Sequence, residues 1–260
     1  MRKKTRRSSG DIVRIVLVCI CAMVFLGCGG ILLKEFLWRN QSAGTYSAVA
    51  EDVWESPTEN SSEETSQAET ASEEEITPEV YNPPPGLADL MASNENVKGW
   101  IYIADTQINY PIMQHPTDNE YYLHRDLNGN KLYSGAIFLD VIHNLSENGI
   151  KLIYGHHMKQ SWKAGIMFRE LVNYRKPEYM LSHDDIVIWT GEKEYHYKPI
   201  YCYAGKADGT YRNKLRSVDE LNEFFKGKIG IEPNSESVLV LVTCSYGQEN
   251  ERTYLVCVPR

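Results

Sequence analysis

Three side chains in the second half of the chain have the types that thiol-based acyl chemistry needs: Cys244, His156 and Arg252. Cys244 closes an apolar run, Val238-Leu-Val-Leu-Val-Thr243, and is followed at once by the polar, turn-forming Ser245-Tyr246-Gly247. A thiol at the exit of a strand is part-exposed and within reach of a substrate. A sulfur nucleophile also needs a proton partner and a donor that steadies the oxyanion. His156 ends a second apolar run after Tyr154-Gly155, the same strand-to-loop setting, and is the best acid–base group among the seven histidines. His157 is its immediate rival. His115, His124, His143, His183 and His196 stand in polar or loop contexts and read as surface residues. Arg252 follows Cys244 by eight positions, so a hairpin over Ser245–Glu251 brings its guanidinium beside the thiol. Each residue taken alone has an ordinary structural reading, and only the three together point to catalysis.

The other cysteines offer less. Cys19, Cys21 and Cys28 fall in an apolar N-terminal segment, inert or palmitoylated, and Cys202 and Cys257 read as small buried hydrophobes within strands. Three cysteines in the C-terminal part is an odd number, so at least one is a free thiol or pairs with another chain. No C-x-x-C or H-x-x-x-H spacing suggests a metal site.

The elements that must position these groups occupy only part of the chain. The total charge of −8 is segregated: residues 1–40 hold 8 basic and 2 acidic side chains, whereas 41–85 hold 11 acidic side chains and no Lys or Arg. That leaves a net charge of −3 for 86–260, too little positive charge for a nucleic-acid footprint. Ile15–Leu33 is an unbroken apolar run that, as a helix, rises about 28 Å, close to a bilayer's hydrocarbon thickness. Arg2, Lys3, Lys4, Arg6, Arg7 and Arg14 precede it, which predicts a cytoplasmic basic tail over 1–14 and export of everything after the span. A cleaved signal peptide is the alternative, but its apolar core would be shorter, and no A-x-A site follows Leu33. Residues 34–85, rich in Ser, Thr, Glu and Pro, read as a disordered spacer with too little apolar surface to offset chain entropy.

From Gly86 to Arg260 the composition is globular and long enough for one domain with a proper core. Strand-like stretches dominate: 100–103, 108–113, 136–139, 151–154, 186–190, 195–203, 238–242 and 254–258. Short strands punctuated by Gly, Asn and Asp predict a mostly β fold, a closed or nearly closed barrel. Helices are expected over Leu87–Ser93, Ala164–Tyr174 and Val218–Lys226, the last with a Ser217/Glu220 capping box and Gly227 as its stop.

At this point a resemblance emerges. Leu241-Val-Thr-Cys244 with Arg252 downstream and Tyr154-Gly-His156 upstream resembles the sortase signature, with Val240 in place of its usual Thr. Asn94–Ile101, Ile108–Ile112, Asp118–Leu123, Gly135–Asp140 and Met167–Leu171 resemble segments of class B sortases of Gram-positive bacteria, in order across 87–258. The resemblance implies a sortase-like eight-stranded β-barrel with a helix between the sixth and seventh strands. It implies a membrane-anchored cysteine transpeptidase that cleaves a C-terminal sorting motif of secreted proteins after Thr. Cys244 would form a thioester, His156 act as general acid/base, and Arg252 steady the oxyanion or the substrate backbone. The acceptor would be an amino group of a cell wall precursor, with no cofactor or metal. The chain is unlike the pilus-building class, lacking a lid motif and a second hydrophobic segment. Two other readings stay open: a stalked, non-catalytic cell-surface binding module, and another cell-wall cysteine peptidase. Against the latter, a Ser-His-Gly-Cys motif is absent, and the Cys follows the His, the reverse of papain-like wall hydrolases.

Overall fold

The computed structural model of the chain describes residues 9–55, 81–158, 166–207, 215–245 and 247–260. Arg2–Arg7 of the basic tail, residues 56–80 of the expected spacer and Tyr246 lie outside the described residues.

In chain order the helices are α1 (Ser9–Glu55), α2 (Leu87–Ser93), α3 (Pro177–Ser182) and α4 (Val218–Ile229). The strands are β1 (Val97–Tyr102), β2 (Asn109–Met113), β3 (Ile137–Leu139), β4 (Gly149–Tyr154), β5 (His157–Met158), β6 (Ile166–Met167), β7 (Ile186–Trp189), β8 (Glu194–Lys206), β9 (Ser237–Cys244) and β10 (Glu251–Pro259). Eight of them close a barrel in the order β1-β2-β3-β4-β9-β10-β8-β7. The pairs β2–β3 and β4–β9 are parallel and the others antiparallel. Each barrel strand overlaps one of the eight stretches expected from the sequence, and α4 joins the sixth barrel strand to the seventh. β9 is buried along almost its whole length, as expected for an unbroken apolar run flanked on both sides by neighbours.

Three local expectations need correction. Ala164–Tyr174 is not one α-helix: Ile166–Met167 pairs with β5, Met167 takes a positive φ of 59°, and only Arg169–Arg175 winds, as a 3-10 turn. Gly227 does not stop α4, since a helical Gly costs only about 1 kcal/mol. The helix runs on to Gly230, whose φ of 73° and N–H to Lys226 O make the cap, while Ser217 Oγ accepts from Glu220 N at the other end as expected. His143 is buried rather than on the surface.

The larger correction concerns the spacer. Residues 34–55 continue α1 without a break, and residues 42–54 pack on the barrel. Ser42, Tyr46, Val49 and Val53 recur at helical spacing and face the protein, Tyr46 being 3% and Val53 2% exposed. Tyr46 meets the Tyr110 ring edge-on at 5.6 Å, and its hydroxyl donates to Gly135 O at 2.8 Å. Trp54 packs on Tyr102 and Trp189 and donates to Asn109 Oδ1 at 3.0 Å. Gly86 N donates to Val53 O at 2.8 Å, which ties the start of the globular part to α1. The stripe was hidden because its composition was averaged with the acidic stretch that begins at Glu51. Lower in α1, Val16–Lys34 is long and apolar enough to cross a membrane and is entirely unburied.

Candidate active site

Cys244 ends β9 and Arg252 lies near the start of β10, and the antiparallel ladder sets them directly opposite each other. Opposed residues on such a ladder have Cα atoms about 4.5–5.5 Å apart and send their side chains to the same face. The connection is short and pinned: Ser245 N donates to Glu251 O at 3.0 Å, and Gly247 N to the Glu251 carboxylate at 3.1 Å. The ladder alone therefore juxtaposes thiol and guanidinium.

His156 arrives from the other neighbour of β9. The parallel β4–β9 pairing aligns Tyr154 with Val242. Gly155 N then donates to Val242 O at 3.1 Å, and Thr243 Oγ1 returns a bond to Gly155 O at 2.8 Å. Position 155 has to be glycine here, because an added Cβ would collide with the side chains of Ile137 and Phe168. Tyr154 Oη donates to Asp140 Oδ2 at 2.9 Å and holds the strand end on the barrel.

Cys244, His156 and Arg252 line one cavity of about 480 Å³, together with Glu120, Leu123, Thr243 and Asn250. His156 Nε2 lies 2.8 Å from Leu123 O. A carbonyl only accepts, so Nε2 carries the hydrogen and Nδ1 is the nitrogen that titrates. Burial lowers the His156 pKa below the ordinary imidazole value; the Leu123 bond raises it, and the charges of His124 and Arg252 lower it again. The neutral form therefore predominates at pH 7. His124 stacks on His156 with ring centroids 5.3 Å apart.

The rivals are separated from this chemistry. His157 is buried in β5 and does not line the cavity. Cys202, Cys244 and Cys257 are all free thiols. Burial pushes Cys202 up to about 12 and raises Cys257 as well, so both stay protonated and unreactive. Among the described residues no cluster could hold a metal ion. Sequence reasoning missed the Leu123 carbonyl, Glu120 and His124. In the sequence Asp118–Leu123 stands out only as a segment resembling class B sortases, and no residue type marks a backbone oxygen as functional.

A family profile for the sortase domain matches residues 101–260. The chain is 35% identical to sortase B of Listeria monocytogenes, over 65% of this chain and 71% of the relative. It is 26% identical to sortase B of Staphylococcus aureus, over 66% and 73%. Among solved structures, a Bacillus anthracis protein described as similar to sortase B superposes with a TM-score of 0.62 at 27% identity, covering 85% of this chain and 97% of that one. The crystal structure of Listeria monocytogenes sortase B superposes with a TM-score of 0.52 at 27% identity, over 65% and 97%. With that barrel and these relatives, the chain belongs to the sortase family, class B, and is a cysteine transpeptidase.

Proposed function

We propose that Cys244, His156 and Arg252 catalyse cleavage of a C-terminal sorting motif of secreted proteins after Thr, with transfer of the acyl group to an amine of the cell wall precursor. The observation that carries this reading is the convergence of the three side chains on one cavity, with Arg252 facing Cys244 across the ladder. Neutral His156 takes the thiol proton at Nδ1 as sulfur attacks the Thr carbonyl. Arg252 offers planar donors to the oxyanion or the substrate backbone. The imidazolium then protonates the departing amine, leaving a thioester on Cys244. The second half runs in reverse with a new amine. A thioester suits this task because an amine resolves it readily, provided that water is poorly placed.

The cellular arrangement belongs to the same proposal. The apolar length of α1, preceded by basic residues, supports a single-pass anchor with the N-terminus cytoplasmic and the barrel outside. The continuous helix and its packed stripe support a catalytic unit that begins near Gln41.

Mass spectrometry of the enzyme with a peptide carrying Asn-Pro-x-Thr, and no amine, tests the chemistry. A thioester adduct should map to Cys244 and vanish in Cys244→Ala. An adduct on Cys202 or Cys257 would overturn the assignment. For topology, protease added to intact protoplasts should cut between α1 and Gly86 and yield a separate barrel fragment on a denaturing gel; an uncut chain would refute export.

A further inference from the structure

Beside the catalytic cavity lies another of about 530 Å³ that the acylation half of the reaction does not use. Its walls are Gln41 of α1 and the loop over 118–133, including Asp118, Glu120, His124 and Tyr133. Glu120 lines both cavities. His124, on the wall of the second, stacks on His156, on the wall of the first. The two spaces thus adjoin at the imidazole that must serve the incoming nucleophile.

Resting on the Cys244 thioester reading, we infer that this second cavity is the acceptor subsite and holds the amine-bearing peptide of the second substrate. A transpeptidase must seat its acceptor while the first cavity is filled by the acyl chain, and this adjoining space beside His156 meets that need. The carboxylates of Asp118 and Glu120 favour a protonated amine, and Glu120 does so on the border with the catalytic cavity. Arg125, held over the Tyr121 ring at 4.9 Å, and Lys131 supply positive charge for carboxylates of the same peptide. The rings of Tyr121, His124 and Tyr133 give flat faces for peptide planes. Gln41 stands seven residues past Lys34, the end of the apolar stretch, about 10 Å along the helix axis. A precursor held at a membrane surface therefore meets this cavity from its α1 side.

The bound ammonium loses one proton to solvent, and its lone pair attacks the thioester carbonyl carbon. The C–S bond breaks with its electron pair on Cys244 sulfur as the C–N bond forms. The surplus proton on nitrogen passes to His156 Nδ1 and then to the thiolate, which restores the resting thiol.

The test uses the full-length chain in detergent, a peptide carrying Asn-Pro-x-Thr as acyl donor, and two nucleophiles. Triglycine needs a peptide subsite, and hydroxylamine is too small to need one. Gln41→Trp narrows the cavity from α1, and Asp118→Asn removes a carboxylate. The expected result is a KM for triglycine raised about tenfold by Gln41→Trp and about threefold by Asp118→Asn, with hydroxylaminolysis within about twofold of wild type. Leu181→Ser, on exposed α3, serves as a control and should change neither. An unchanged triglycine KM in a Gln41→Trp protein of wild-type melting temperature overturns the inference, and so does an equal loss with both nucleophiles. If the wild type yields no hydroxylamine-releasable acyl group from either an Asn-Pro-x-Thr or a Pro-x-Thr-Gly peptide, the thioester reading itself falls, and the inference with it.

Discussion

The active site has two walls built on different principles. On one side, Cys244 and Arg252 sit on adjacent strands whose register is set by a run of backbone hydrogen bonds from Arg252↔Cys244 to Cys257↔Leu239. On the other, His156 is oriented by a single loop carbonyl, Leu123 O. That loop is held in turn by Gly135, whose φ of 57° is left-handed and whose position admits no Cβ against the Leu123 and Tyr122 carbonyls. Tyr46 of α1 then clamps Gly135 O. The strand wall is determined by local pairing and is indifferent to its surroundings. The loop wall depends on contacts between parts of the chain 89 positions apart. Cys244 and Arg252 are thus rigidly paired, whereas His156 can be tuned from outside the barrel.

That contrast predicts different signatures for the two walls. The largest effect should come from Cys244→Ala, which removes both cleavage and transfer, since no other thiol faces the cavity; any residual thioester adduct would contradict it. His156→Ala should cost about 10²–10⁴-fold in peptide cleavage, the usual worth of acid–base help. His157→Ala should lower the melting temperature and spare turnover. Arg252→Lys should cost about 10²–10³-fold with an unshifted pH profile, because a lysine ammonium lacks the planar fork. A kcat that survives this change would place the oxyanion donor elsewhere.

Removing α1 probes the loop wall. A chain starting at Gly86 loses the buried Tyr46 and Val53 side chains, worth about 3–6 kcal/mol together. Urea unfolding should show it markedly less stable than a chain starting at Gln41. Equal midpoints would mean that the helix is only a tether. Tyr46→Phe, which deletes one hydrogen bond, should cost about 1 kcal/mol.

The smallest effect is a shift in pH. On the proposed mechanism neutral His156 takes the thiol proton, so thioester formation should fall as pH drops through a pKa held below the usual imidazole value, chiefly by burial. Protonated His124 opposes a second charge on His156. In His124→Gln that opposition is gone, protonation is easier, and the acidic limb should move to higher pH. A limb that stays in place would show that the stacked ring does not couple to His156.

The eight barrel strands were legible because each contains a β-branched or aromatic run bounded by turn residues; their order around the barrel, with its two parallel pairs, was not, since it depends on pairings between distant strands. The site was legible as far as residue types reach. A thiol and an imidazole at strand exits, with an arginine one hairpin away, are statements about local sequence, and the ladder preserves local sequence relations. The choice between His156 and His157 was not so determined: the two are neighbours at the junction of β4 and β5, and only the folded barrel decides which of them lines the cavity. Nor was the fate of 41–55. Averaged over an acidic segment the composition signals disorder, yet four residues at helical spacing, Ser42, Tyr46, Val49 and Val53, suffice once a barrel surface is there to receive them. Sequence supplied the chemical groups and the strands. Tertiary structure decided which imidazole shares a cavity with the thiol, which carbonyl orients it, and which helix face is buried, because each depends on surfaces brought together from distant parts of the chain.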